Sequence, residues 1–337
     1  MTDTATQTDN TTVTPKNKNW NWHPDLPIEN SPLFTWPPER VNIARWFAHS
    51  WLQLSMTLII FALSVFVWGV LQPPLEKLLN FELGWIAGIV LRNLTLVLVL
   101  AGGLHLYLHR AKRQGDEHKY MKREFAKNNR AFTLNDQVRD NMFWSLASGV
   151  PIWSAYEVLY MWAMANGYLP ALPVQTAWLW IAAMVFLTPL WLSLHFYWVH
   201  RLLHWQPLYK RVHSLHHRNV HIGPWSGLTM HPVEHLAYFS SILIHLIVPS
   251  NPIIMYFHMY LQALNPIASH SGYDDLRVNN KSVMSLGVFF HQLHHRYFVC
   301  NYGTADVPWD KWFGSFHNGS DEATTLMHAR MKRTSQR

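Results

Sequence analysis

WFAHSWLQLSMTLIIFALSVFVWGVLQPPL, residues 46–75, contains no Asp, Glu, Lys or Arg. The hydrocarbon layer of a bilayer, about 30 Å thick, takes roughly 20 helical residues to cross. The run therefore predicts a transmembrane helix over 47–71, ended by Gln72, Pro73 and Pro74. A second apolar stretch, 84–107, predicts another span, interrupted by Arg92, whose long side chain is expected to snorkel to the headgroups. Arg110, Lys112, Arg113, Lys119, Lys122, Arg123, Lys127 and Arg130 follow, and this excess of positive charge marks the loop 108–138 as cytoplasmic.

From Val158 to His200 no residue other than histidine carries a charge, and Asn166, Gly167, Pro170 and Pro173 punctuate the stretch. It predicts a second hairpin, 142–164 and 175–198, whose exit at Arg201, Lys210, Arg211 and Arg218 is again cytoplasmic. Leu236 to Tyr273 is also free of Asp, Glu, Lys and Arg, but Pro249, Asn251 and Pro252 cut it into pieces too short to span separately. A re-entrant or interfacial helical pair is the expectation there. The fold class that emerges is an all-α integral membrane protein with about four transmembrane helices plus that pair. A histidine-rich helical cap sits above them, with both termini and the cap cytoplasmic. The chain divides into a polar tail (1–40), first membrane helices with the basic loop (41–165), a catalytic region (166–318) and a polar basic tail (319–337).

Composition agrees: 49% of the 337 residues are hydrophobic, 18 are Trp and only 14% are charged, against about a quarter charged in soluble proteins. The net charge of +7 sits in juxtamembrane loops, and no nucleic-acid motif accompanies it. Cys300 is the sole cysteine, so there is no intrachain disulfide and no thiolate metal site, and it reads as a packed small residue. Residues 1–19, rich in Thr, Asn and Lys without an apolar core, read as a solvated, disordered tail and not as a cleavable secretory signal.

Fifteen of the 22 histidines lie between His195 and His295. In His213-Ser-Leu-His216-His217 the positions i, i+3 and i+4 share one helical face, so three imidazoles are expected to converge, and His291-Gln-Leu-His294-His295 repeats the pattern. Ahead of them His200 and His204 share a face, while His195 lies ~180° from His204 and ~140° from His200 on a regular helix. Either that helix is distorted or one of these is not a ligand. His231 and His235 share a face at the start of a helix opened by Pro232 and Glu234, where capping and packing compete with a ligand role. His270, at the end of the apolar pair, reads as a lone ligand, and His221, His245 and His258 as packing or polar-network residues.

Haem needs two axial ligands, not eight or more convergent ones. Eight to ten histidines exceed one zinc site and fit two metals with an open or shared oxygen position. Imidazole suits iron, copper, nickel and zinc alike, so the ion stays open on ligand type. Two metals in an apolar surround at a membrane face suggest oxidation of an unreactive lipid C–H bond. A two-zinc hydrolase of a lipid ester or phosphoester is the alternative, and a metal-transport protein a third reading.

The series HRLLH, HSLHH, MHPVEH, NPIASHSG, HQLHHR, NYG and WDKWFG, over about 180–318, resembles the fatty-acid hydroxylase superfamily, which includes sterol C-5 desaturases, C-4 methyl-sterol oxidases and alkylglycerol monooxygenases. That resemblance implies a four-span helical anchor under a cytoplasmic cap, O2-dependent hydroxylation or desaturation, and two iron ions, with zinc able to replace iron during isolation. By position it supports His200, His204, His213, His216, His217, His270, His291, His294 and His295 as ligands. It keeps His195 as a candidate through relatives with a wider histidine spacing, and His231 and His235 through a signature of less certain role. No fused cytochrome b5 domain and no GxGxxG fingerprint is present. Electrons are therefore expected from a separate cytochrome b5, ferredoxin or reductase. Phe196, Tyr197, Trp198, Trp205 and Trp225 line either an acyl or sterol channel or an interfacial aromatic belt. No residue separates hydroxylation from desaturation or names the lipid.

Overall fold

A computed structural model describes residues 20–29, 31–170 and 172–335, and the predicted tail 1–19 lies outside the described residues. Among the described residues two helices are long and apolar enough to cross a bilayer. The first, α3 (Leu83–Leu104), continues through a π turn to Arg110, and the second is α6 (Val174–Leu203). Only 22% and 17% of their apolar windows are buried, so most of that apolar surface faces outward, as lipid contact requires.

The predicted first span, 47–71, is divided. A short helix α1 (Arg40–Phe47) runs into a π turn at Ala48–Leu52, and α2 (Met56–Phe66, continued by Val67–Leu71) starts afresh because the Ser55 hydroxyl accepts from Leu58 N–H at 3.3 Å. The second hairpin's first arm is longer than predicted, with α4 (Gln137–Trp144), a π turn (Ser145–Gly149) and α5 (Val150–Ala165) running on continuously. Pro151 fits there, at the start of α5.

After α6 come α7 (Gln206–Leu208) with a π turn to His213, α8 (Ser214–His217), a 3-10 segment (Pro224–Leu228), α9 (Pro232–Phe239) and a second 3-10 segment (Ser240–Leu246). The chain breaks where Pro249, Asn251 and Pro252 predict it. Asn251 then caps α10 (Pro252–Ser269), accepting from Ile253 N–H at 3.0 Å. Helix α10 is buried almost throughout, packed against α2, α3, α5 and α6. It is the axis around which the other helices stand.

Arg92 does not snorkel. It points inward from α3 to Glu157 and Asn93, with Asn93 Nδ2 donating to Glu157 Oε2 (3.0 Å) and Ser154 Oγ (3.1 Å) on α5. The cause is a counter-charge that sequence spacing hid. A hydrogen-bonded carboxylate 65 residues away makes the interior position tolerable.

After α10 the chain holds α11 (Phe289–Tyr297), α12 (Trp309–Trp312), α13 (Asp321–Ser335) and one element absent from the all-α expectation. Strands β1 (Asp275–Val278) and β2 (Lys281–Ser285) form an antiparallel hairpin joined by Asn279 and Asn280, both at positive φ (50° and 60°). Residues 20–29 lie against the loop at Tyr120 and the segment before α13, Asn21 N–H donating to Tyr120 O and Ile28 N–H to Asn318 O, both at 2.9 Å.

Candidate metal centre

Nine imidazoles gather in two groups: His200, His204, His213, His217 and His294 in one, and His216, His270, His291 and His295 in the other. Within each group the ligand atoms all lie within 4.8 Å of one another. Helix α6 delivers His200 on its last turn and His204 at its C-cap, after which Pro207 starts α7 in a new direction. His270 is the C-cap of α10.

The HxxHH triplets do not converge as units. His213 and His217 enter the first group and His216 the second, while His291 and His295 enter the second and His294 the first. Residues i and i+4 are only about 40° apart on a helix, whereas i+3 and i+4 diverge by ~100°. Each triplet therefore serves two points, as a shared two-centre site requires.

His195, His231 and His235 stand outside both groups. His195 Nε2 meets Ser240 Oγ at 3.0 Å. His231 caps α9, its Nδ1 accepting from Val233 N–H at 3.2 Å. His235 uses both ring nitrogens, with Ser148 Oγ (2.9 Å) and Leu228 O (3.2 Å).

Five of the nine rings are oriented by the nitrogen that faces away from the group. Nδ1 of His200 donates to Tyr302 O (2.6 Å), of His294 to Cys300 O (2.6 Å), of His216 to Thr229 O (3.1 Å) and of His270 to Pro266 O (2.8 Å). His213 Nδ1 meets Glu234 Oε1 at 2.7 Å. Ligand histidines are held this way, which fixes the tautomer and leaves Nε2 as a lone pair. Burial pushes His213 down to about 3 and His216 to about 4, keeping the rings in the neutral, ligating form, and pushes Glu234 up to about 8.

Glu234 and the loop behind Tyr302 are the residues the sequence reading missed as supports of the site. Asp310 Oδ1 accepts from Tyr302 N–H (2.8 Å) and Ser315 Oγ (2.6 Å), and Oδ2 from Gly303 N–H (2.7 Å), so the WDKWFG segment fixes the carbonyl that orients His200. Asn301, at φ 52°, ties the same loop to His317 and Phe290. A Cβ on Gly227 would stand 2.4 Å from Pro266 O, so only glycine lets the 224–228 segment approach the carbonyl that orients His270.

The Nε2 atoms themselves form two closed triangles. His204, His217 and His294 are 3.1, 3.1 and 3.2 Å apart, and His270, His291 and His295 likewise 3.1, 3.1 and 3.2 Å. A neutral ring nitrogen either donates or accepts. A closed set of three contacts cannot alternate, so at least one contact in each triangle sets like against like. Buried polar atoms are not left so, and a cation at the centre of each triangle resolves it. The donor set fits a resident metal.

Tyr302 and Tyr209 stand 4.8 and 5.4 Å from His204, and Phe298 stands 5.1 Å from His217, between ring centroids, walling the first group. Of the aromatics singled out in the sequence, Phe196 meets His200 at 4.8 Å. Trp198 and Trp205 are exposed, in the manner of a belt, and Trp225 is in the core.

Residues 184–315 match the family model for fatty acid hydroxylase. The chain is 31% identical over 109 residues to a Delta(7)-sterol 5(6)-desaturase of Gibberella zeae, and 29% identical over 112 residues to the Delta(7)-sterol 5(6)-desaturase of Candida glabrata. It is 28% identical over 109 residues to methylsterol monooxygenase 1 of Gallus gallus. The matched stretches cover 32%, 33% and 32% of this chain and 33%, 30% and 36% of those proteins, so the chain spans about a third of the length of the relatives it matches. No solved structure matches it significantly.

Proposed function

The chain belongs, through residues 184–315, to the fatty-acid hydroxylase and sterol desaturase superfamily, and from that premise we propose that it is a membrane-bound, O2-dependent di-iron hydroxylase or desaturase. Its substrate is a C–H bond of a sterol, fatty acyl or related lipid. The observation that carries this reading is the pair of Nε2 triangles with ~3.1 Å edges.

Nε2 contacts of 3.1–3.2 Å let the three rings of each triangle face a single ion. Five nitrogens in one group also exceed tetrahedral zinc's four. His200, His204, His213, His217 and His294 hold one iron, and His216, His270, His291 and His295 the other. When bound, the irons supply O2 activation and the oxidising power to break the C–H bond.

The chain's residues orient and shield. Glu234 and the carbonyls of Thr229, Pro266, Cys300 and Tyr302 lock ring tautomers, and Tyr209, Phe298 and Tyr302 exclude water from the first group. The excess of positive charge in the loops supports a cytoplasmic side for the imidazole groups, with α2, α3, α5 and α6 in or against the bilayer. A separate cytochrome b5, ferredoxin or reductase brings the electrons.

Metal analysis after anaerobic purification tests the reading, together with lipid profiles of cells with and without the gene. Two irons per chain and a lipid changed by one oxygen or two hydrogens are expected. Two zinc ions with an ester or phosphoester product would replace it with the hydrolase.

A further inference from the structure

The last turns of α6 present two opposed faces. His200 and His204 join the first imidazole group, whereas Trp198 (48%) and Leu202 (58%) are exposed. On helical spacing Trp198 stands about 160° from His200. The outer face continues one that begins further down the helix, because Leu187, Leu190, Trp198 and Leu202 are all exposed and fall within about 120° of one another. That stripe belongs to a helix long and apolar enough to cross a bilayer. Lipid contact therefore extends along it to the turn that carries the ligands.

Along α6 the helix backbone stands between this face and the imidazoles. The separation ends where the helix ends. His204 is the C-cap, and the next residue, Trp205, is 61% exposed and extended in backbone before Pro207 turns the chain. His204 is also the member of its group that is not fully buried. Its ring lies between Tyr209 (5.4 Å) and Tyr302 (4.8 Å), both partly exposed. The edge of this spot is cationic. The Arg201 guanidinium lies over the rings of Tyr197, Tyr302 and Phe313, at 5.6, 5.9 and 5.8 Å, and Lys210 and Arg211 are exposed just after Tyr209. Exposed tryptophan beside Lys and Arg is the composition of a membrane interface, where indoles sit at headgroup level and cations meet anionic lipid.

We propose that the end of α6 is the entrance by which a bilayer lipid reaches the first imidazole group, with Leu202 and Trp205 seated in the leaflet and Tyr209 and Tyr302 forming its two sides. The proposal rests on the oxygenase reading and gives the route of its substrate. The lipid keeps its polar end at Arg201, Lys210 and Arg211, and its apolar part passes Trp205 and enters between the two tyrosines. With nothing between them the tyrosines close on His204 and keep water out. Tyr209 then limits the bulk that the lipid carries at the oxidised carbon.

Two measurements test the entrance on the full, iron-loaded chain in nanodiscs of host lipid extract. In the first, nitroxides on Leu202→Cys and Trp205→Cys report which relaxing reagent reaches them. Val99→Cys, exposed on α3, and Leu326→Cys, exposed on α13, are the lipid and water references. Cys300 is buried and stays unlabelled. Positions 202 and 205 are expected to match 99, relaxed by oxygen and not by a water-soluble nickel chelate. Matching 326 would overturn the entrance. Closure to both reagents, as beneath a second copy or a partner protein, would overturn it too.

In the second, oxidised lipids are profiled for Tyr209→Ala and Tyr209→Trp, with iron measured on the same samples. Tyr209→Ala is expected to shift the ratio of bulkier to slimmer products upward by about tenfold or more, the scale of a changed pocket contact. Tyr209→Trp should shift it the other way. Should one variant fail to fold, the other carries the test. A wild-type ratio at wild-type iron content would overturn the entrance, and loss of iron in both variants would make Tyr209 a support of the metal instead. A position 99 open to the nickel chelate would remove the membrane reading itself. A wild type that oxidises no lipid, with 202 and 205 in the bilayer, would remove the oxygenase reading and the entrance with it.

Discussion

Arg92 and His294 are both polar side chains buried in one helical protein, and their surroundings differ in one respect. Arg92 meets Glu157 and Asn93, Asn93 meets Ser154, and none of these residues has a buried polar side-chain atom left without a partner. His294 meets Cys300 O on one side, and on the other two nitrogens of its own kind. The first network is complete as protein alone. The second is complete only around a cation. Burial of polar groups therefore points to a ligand only where hydrogen-bond pairing fails, and the two regions should respond oppositely to metal and to mutation.

The largest effect is expected at the centre itself. His294→Ala opens the triangle of the first group, so lipid oxidation should fall below detection and the iron bound per chain should drop, as read by elemental analysis and lipid mass profiles. A His294→Ala protein that holds its full iron complement would break the comparison. Next, Arg92→Met leaves Glu157 buried without its partner and should cost ~3–5 kcal/mol of stability, measured by denaturation in detergent at constant iron content. The double change Arg92→Met, Glu157→Leu should recover most of that loss, because a packed apolar pair replaces a complete ionic one. Loss of iron in the single variant, without loss of stability, would show that the two regions are not separate.

Glu234→Gln comes third. It keeps the size of the group facing His213 Nδ1 but removes its ability to exchange a proton with that ring, and supporting residues of this kind are worth ~10–100-fold in metal affinity. Competition with a chelator should show the shift, with the thermal midpoint of the metal-saturated protein little changed. The smallest effect is at His231. Replacing this cap by Ala should cost ~0.5–1 kcal/mol and leave iron content unaltered, whereas loss of an ion would return His231 to the ligand set.

The site was partly legible in the chain because metal spacing is local. HxxHH and HRLLH announce clustered imidazoles through helix geometry within five residues. Which ring serves which ion was not legible, because that depends on partners far along the chain: His200 bonds to the Tyr302 carbonyl 102 residues away, and His204 meets His294 across 90. The β1–β2 hairpin had a signal, the Asn279-Asn280 pair between short alternating runs, that the charge-free stretches around it overshadowed.

By itself the sequence determined the membrane character and the roll of candidate histidines, since transfer of apolar side chains from water and covalent spacing along a helix are properties of short segments. The tertiary structure alone decided that Arg92 turns inward to Glu157, that each triplet is shared between two groups, and that His195, His231 and His235 stand outside both. Those outcomes are set by distances between side chains brought together from separate helices, where a buried charge or lone pair is stable only if a partner arrives from elsewhere in the fold.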